Sequence, residues 1–224
     1  MATETPRDTA PRWLTQWLPL ALMLLLIAVY FGFLERYAIN VPLGDDIYDV
    51  LQVLNGLEQA PDLKSAADLV YAQHNDHRTL SSRLVYLASY QITGEIDFRT
   101  LTILANLALP LFLLLFLSMS RKCPLPLVIL LPAALFLLQL RAYGITFWSM
   151  AAFAYHYVFL YGFAAIYCLH RVTPPRFVTA VLLATLATYS LASGQAVWLV
   201  GLAGLLHQWL LRKSCGYGYP LLWT

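Results

Sequence analysis

Charge is scarce in this sequence, and acidic charge is absent from more than half of it. Only 12% of the 224 residues are Asp, Glu, Lys or Arg, about half the share of an ordinary soluble domain. After Asp97 there is not one Asp or Glu. That argues against a proton- or sodium-coupled carrier, which usually needs a carboxylate within the membrane. Cys123, Cys168 and Cys215 are the only cysteines. Their spacing fits neither a zinc site nor a CxxC pair, so they read as unpaired small hydrophobes. No basic patch with interleaved aromatics occurs, which argues against a nucleic-acid partner. There is no internal repeat and no low-complexity tract. What remains is hydrophobic: 60% of residues are apolar or aromatic, and the mean hydropathy is +0.64. Such a composition predicts a polytopic membrane protein.

The apolar runs give the expected layout. Residues 13–34 form an apolar run of 22 residues, long enough to cross a bilayer core of about 30 Å. It lacks a clear cleavage site and reads as an uncleaved signal anchor. Further spans are expected at 98–119, 125–140, 149–169, 177–191 and 196–211. The last two are separated only by Ala192-Ser193-Gly194-Gln195, so this pair can also be a tight hairpin in which one limb fails to cross fully. The predicted fold is therefore all-α, a membrane helical bundle of about six transmembrane helices. Tyr30, Tyr37 and Trp148 lie near predicted span ends, as interfacial aromatics do. Arg7, Arg12, Arg121, Lys122, Arg171, Arg176, Arg212 and Lys213 alternate with base-poor connections. That pattern places both termini in the cytoplasm of a multi-pass inner-membrane protein. The organisation is a cytoplasmic tail (1–12), the anchor (13–34), an external loop (35–97), a five-helix bundle (98–213) and a tail (214–224). Residues 214–220 do not continue a bundle, so a shortened product is expected.

The loop holds ten of the twelve carboxylates and four bases, a net charge of −6 with His neutral. Any chemistry that needs a carboxylate is expected there. It is not a disordered tail, because apolar residues recur at helical spacing. Ile47, Val50, Leu51, Leu54 and Leu57 predict one helix after Asp46. A second is predicted over 63–73. A third, from His77 to Thr93-Gly94, carries the stripe Leu80, Leu84, Leu87 and Ala88, with Ser81, Ser82 and Arg83 on other faces. It reads as a helix lying on the membrane surface or on the bundle.

Two constellations stand out. Asp45 and Asp46 follow Gly44. Adjacent carboxylates can share a divalent cation, or act as base and orienting partner. They can equally cap a helix. His74-Asn75-Asp76-His77-Arg78 gathers five polar groups between two apolar helices. His74, Asp76 and His77 can ligate a metal, and Arg78 can fork onto a phosphate. The same run can be a solvated turn. Asn106, Gln139, His156 and Gln195 are the sparse polar groups of the spans and are expected to bond one another or backbone carbonyls. Gln195 sits where it can line a pocket shared with the loop.

An anchor, a first external loop opening on an acidic pair, a surface helix and then a bundle resemble the N-terminal part of a GT-C type membrane glycosyltransferase. The HNDHR run at 74–78 and the stretch SLASGQAVWLVGL at 190–202 also resemble segments of proteins related to that superfamily. The resemblance implies sugar transfer from a polyprenyl-phosphate donor to an extracytoplasmic acceptor. It puts the base or metal-holding role on Asp45 or Asp46. His74, Asp76, His77, Arg78 and Gln195 would bind substrate, and the surface helix would guide the lipid. Members of that family commonly have more spans than six. A non-catalytic scaffold or a transport component is the competing expectation.

Overall fold

The computed structural model describes residues 11, 13–75, 77–121, 126–212 and 216–224. Among them the chain is helical and forms no strand. Five helical stretches are long and apolar enough to cross a membrane: Leu14–Tyr37, Phe98–Ser120, Leu127–Thr146, Ser149–Leu169 and Ala192–Leu211. The protein is a multi-pass membrane bundle. The sixth apolar helix, Pro174–Thr188, has only 15 residues. The short limb of the expected hairpin is thus its first one.

The chain is built from α1 (Leu18–Tyr37), α2 (Gln52–Glu58), α3 (Leu63–Tyr71), α4 (Leu80–Thr93), α5 (Phe98–Asn106), α6 (Ala108–Ser120) and α7 (Leu130–Leu137). Then come α8 (Tyr143–Thr146), α9 (Ser149–Leu169), α10 (Pro174–Thr188), α11 (Ala196–His207) and α12 (Gly218–Trp223). The predicted second span is broken into α5 and α6 at Leu107. Pro110 explains the break, because it has no N–H for the Asn106 carbonyl and its ring crowds that carbonyl. The predicted third span breaks after Leu138, where Gln139 turns extended.

α9 is the central post. It packs against α4, α5, α6, α8, α10 and α11. Ala165 of α9 and Ala180 and Ala184 of α10 are fully buried in one cluster. Side chains this small let helix backbones approach closely where lipid offers no hydrophobic drive. On the other flank, Met23, Tyr30 and Leu34 of α1 pack with Leu109 and Leu113 of α6 and Ala134 of α7. Tyr30 is not interfacial as expected; it is 2% exposed. Its hydroxyl donates to Asn106 Oδ1 at 2.6 Å, and Asn106 Nδ2 donates to the carbonyls of Thr102 and Thr146 at 2.8 Å each. Asn106 therefore satisfies itself within the bundle, as the sequence predicts.

The predicted loop is a helical layer laid over one end of the bundle. Asp62 caps α3 by accepting from Ser65 N at 2.7 Å, and Gly94, at φ +78°, ends α4. Asp97 caps α5 by accepting from Arg99 N at 3.0 Å and Thr100 Oγ1 at 2.6 Å. Val50, Leu54 and Tyr86 of the layer share a core with Phe98, Leu101, Ala152 and Phe153 of the bundle. The buried faces differ from the predicted stripes. Ile47 and Leu51 are exposed, and Leu84 is 50% exposed. α4 instead buries Ser82, Arg83 and Tyr86: Ser82 donates to the Thr79 carbonyl, Arg83 pairs with Asp49, and the Tyr86 ring meets Phe153 of α9 edge-on. The C-terminal segment also differs from a free tail: α12 packs on α11, with Trp223 only 2% exposed. Its indole N–H donates to the Trp198 carbonyl at 2.8 Å. Cys168 is half-buried and unpaired, while Cys123 and Cys215 lie outside the described residues.

Candidate functional site

Gly44 makes the site possible. Its backbone sits at φ +51°, a conformation L side chains rarely adopt. A Cβ there would lie 3.0 Å from Trp148 Cζ2. The chain therefore passes tightly under Trp148 and delivers two adjacent carboxylates to the start of α9.

These two carboxylates meet opposite surroundings. Asp46 is fully buried. Its Oδ2 accepts from Leu43 N at 3.0 Å, and its Oδ1 lies 3.4 Å from Ser149 Oγ. It stands at the N-terminus of α9, where unpaired backbone N–H groups favour an anion. Burial pushes its carboxyl above the ordinary value, against the pull of the hydrogen bonds from Leu43 and Ser149. Asp46 is committed to Leu43 and to Ser149 at the start of a membrane helix. Asp45 keeps 40% of its side chain exposed and approaches His74, with Oδ2 3.4 Å from Nε2.

His74 is held from both sides. Its Nδ1 lies 3.6 Å from Asp49 Oδ1. The backbones of His74 and His77 bond each other at 2.8 and 2.9 Å, and Asn75 makes the turn at φ +47°. Asn75 Nδ2 adds a contact to His74 Nε2 at 3.3 Å.

Beneath His74 lies a buried network. Asp49 is fully buried and Arg83 is 3% exposed. Asp49 Oδ1 accepts from Arg83 Nε at 3.0 Å and Nη2 at 2.5 Å. Its Oδ2 accepts from Thr79 Oγ1 at 2.7 Å. Arg83 Nη1 donates to the carbonyls of Ala72, Val70 and Leu69 at 2.5, 3.1 and 3.3 Å. One guanidinium thus neutralises Asp49 and caps the C-terminus of α3. Tyr86, also fully buried, points its hydroxyl into the same region without a hydrogen-bond partner. Burial raises the Tyr86 phenol well above its ordinary value, and the negative charges of Asp46 and Asp49 add to the rise.

Compared with known protein families, curated sequences and solved structures, the chain matches none. The site is therefore read from its own chemistry. It joins Asp45, His74 and Asp49, a half-open carboxylate–imidazole pair over a buried ion pair. Arg78 is not in this cluster: its guanidinium lies over the Tyr71 ring, 4.2 Å from the centroid. Gln195 is exposed on the Ala192–Gln195 turn. His77 contributes its backbone, and its Nδ1 is buried without a partner. Asp76 lies outside the described residues. Among the described residues no three His, Cys, Asp or Glu side chains are arranged to hold a metal ion.

Asp49, Thr79 and Arg83 complete the site and are not among the candidate residues that the sequence singles out. A signal was present. Asp46 and Asp49 are three apart and share the helix face of Val50 and Val53, so they are on the inward side. Charges on an inward face need a buried partner, and Arg83, next to two serines, was the base available.

Proposed function

We propose that this protein is an inner-membrane transferase of the GT-C type. It moves a sugar from a polyprenyl-phosphate donor to an acceptor on the extracytoplasmic side, with both termini in the cytoplasm. The observation that carries the reading is the Asp45–His74 pair. Asp45 is partly exposed and His74 largely covered, and the pair lies in the layer, fixed from below by Asp49 and Arg83. A carboxylate so placed accepts the proton of an acceptor hydroxyl as that oxygen bonds to the sugar C1. The bond from C1 to the phosphate oxygen breaks, and the lipid phosphate leaves with the electron pair. His74 orients Asp45 and can pass the proton on. Asp46 has no direct part in this chemistry; it sets where Asp45 stands.

The test is transfer of a radiolabelled sugar from a polyprenyl-phosphate donor by membranes that carry the full chain. Asp45→Asn is expected to lower the rate about 100-fold or more, the usual scale for a lost general base, at unchanged protein level. Transfer that survives this change would sink the assignment.

A scaffold without catalysis has one observation in its favour. Asp46, Asp49 and Arg83 are buried and committed to holding the layer together. That is what a rigid platform for another protein needs. In that case Asp45→Asn is silent, and a partner is lost when the exposed Leu63 and Leu84 are both made polar.

A further inference from the structure

Two arginines that meet the layer are committed. Arg83 pairs with Asp49, and Arg99 pairs with the Glu35 carboxylate. Among the described residues no carboxylate pairs with Arg78. It stands beside two phenols instead. Tyr71 ends α3 and Tyr189 follows α10; their hydroxyls are 2.9 Å apart and their ring centroids 5.6 Å. The Arg78 charge reaches Tyr189 as well, where it opposes the larger rise that the Tyr71 hydrogen bond causes in that phenol. Of the two hydroxyl protons, one joins the oxygens and the other remains to donate. A planar guanidinium and a free hydroxyl proton suit a phosphate oxygen pair.

Tyr71 also borders an apolar trough of about 350 Å³, walled by Leu57, Leu63, Ala66, Ala67 and Leu80. Leu63 at its rim is 87% exposed. α10 leads up to the site from the bundle. Its 15 residues span about 22 Å at 1.5 Å each, short of a bilayer core of about 30 Å. Tyr189 follows the last turn of α10 and its hydroxyl meets Tyr71 of the layer, so the three groups stand where the layer meets the bundle.

We infer that Arg78, Tyr71 and Tyr189 bind the phosphate end of a membrane lipid whose first chain segment lies in the trough beside α3. A free anion would be repelled by the acidic layer, so the apolar contact is needed for binding. The inference does not depend on sugar transfer, since none of these three groups touches Asp45.

The probe is dodecyl phosphate, added to the purified full chain in dodecyl maltoside, with thermal melting as the readout. The wild type is expected to melt at a higher temperature as the probe is titrated. Arg78→Gln should weaken the apparent affinity about tenfold or more, as expected for a lost charged hydrogen bond. Ala67→Phe fills the open trough from an exposed position; it should melt like the wild type without probe and lose the response to it. Inorganic phosphate at equal concentration should give no rise. A response equal in wild type and Arg78→Gln, or none in the wild type, overturns the site. An equal response to inorganic phosphate overturns the lipid as its ligand.

Discussion

Replacing Arg83 by Met tests whether the layer is held by one buried charge. The methionine keeps most of the apolar stem and removes the guanidinium. Asp49, with no exposed surface, is then left as a buried carboxylate facing only Thr79 and His74. Breaking a buried ion pair from one side costs about 3–5 kcal/mol. The three carbonyls at the end of α3 also lose their donor, although water reaches them in part. A loss of about 4 kcal/mol corresponds to roughly a thousandfold in an opening equilibrium.

The loss should be local. α3 buries no residue fully, and Arg83 holds its C-terminal carbonyls to Asp49. Hydrogen exchange of amides 63–75 should accelerate by about that thousandfold, while α5, α6 and α9 keep their protection. Adding Asp49→Leu removes the orphaned charge, and the double variant should recover at least about 2 kcal/mol relative to the sum of the single changes. Additive single effects, or loosening of α5 and α6 equal to that of α3, would refute the reasoning.

Gly44→Ala places a methyl group against Trp148 in a left-handed backbone, and should cost about 1–3 kcal/mol, read as a lowered melting temperature. Gly194→Ala would set its Cβ 2.0 Å from the Ala187 carbonyl oxygen; no side-chain motion relieves a clash with backbone, so folded protein should be absent from membranes. Asp46 carries a pH signature. Its folded carboxyl titrates above the ordinary 3.8, so its contribution is full below that value and is lost as pH rises through the folded one. The margin of stability of wild type over Asp46→Asn should thus be smaller at about pH 7.5 than at about pH 4.5. A margin that melting curves show to be independent of pH would remove the buried-carboxylate argument.

The layout was legible where one residue type in one run sufficed. Apolar length marks the spans, and the 3.6-residue period marks all three helices of the layer; the break in the second span was not expected, although Pro110 is its local signal. The inward faces were not legible, because leucines were assumed to be buried and arginine exposed. Leu84 and Arg83 reverse that assumption. Arg83 is buried because Asp49, 34 residues away, is buried opposite it, and a pairing at that separation leaves no periodic trace. The same limit explains the HNDHR run. Its clustering suggested one site, but the turn at Asn75 sends His74 toward Asp45 and leaves Arg78 over Tyr71. Neighbours in sequence end on opposite sides of a tight turn.

The acidic pair shows why the two residues must be adjacent for separate purposes. α9 begins beneath the layer, where water does not reach its first N–H groups. The Asp46 carboxylate is brought to that terminus from 103 residues upstream, where it accepts from the Ser149 hydroxyl. That bond is not free of strain: the carboxylate is desolvated, and the helix terminus offsets only part of the cost. Once Asp46 is fixed there, the left-handed turn at Gly44 leaves the preceding side chain one direction to take, toward His74. The position of Asp45 is therefore set by the start of α9 rather than by the loop itself. Changes that move Ser149 or Trp148 should displace the Asp45–His74 pair more than the Asp49–Arg83 tie, because Arg83 of α4 and Thr79 hold Asp49 from the other side.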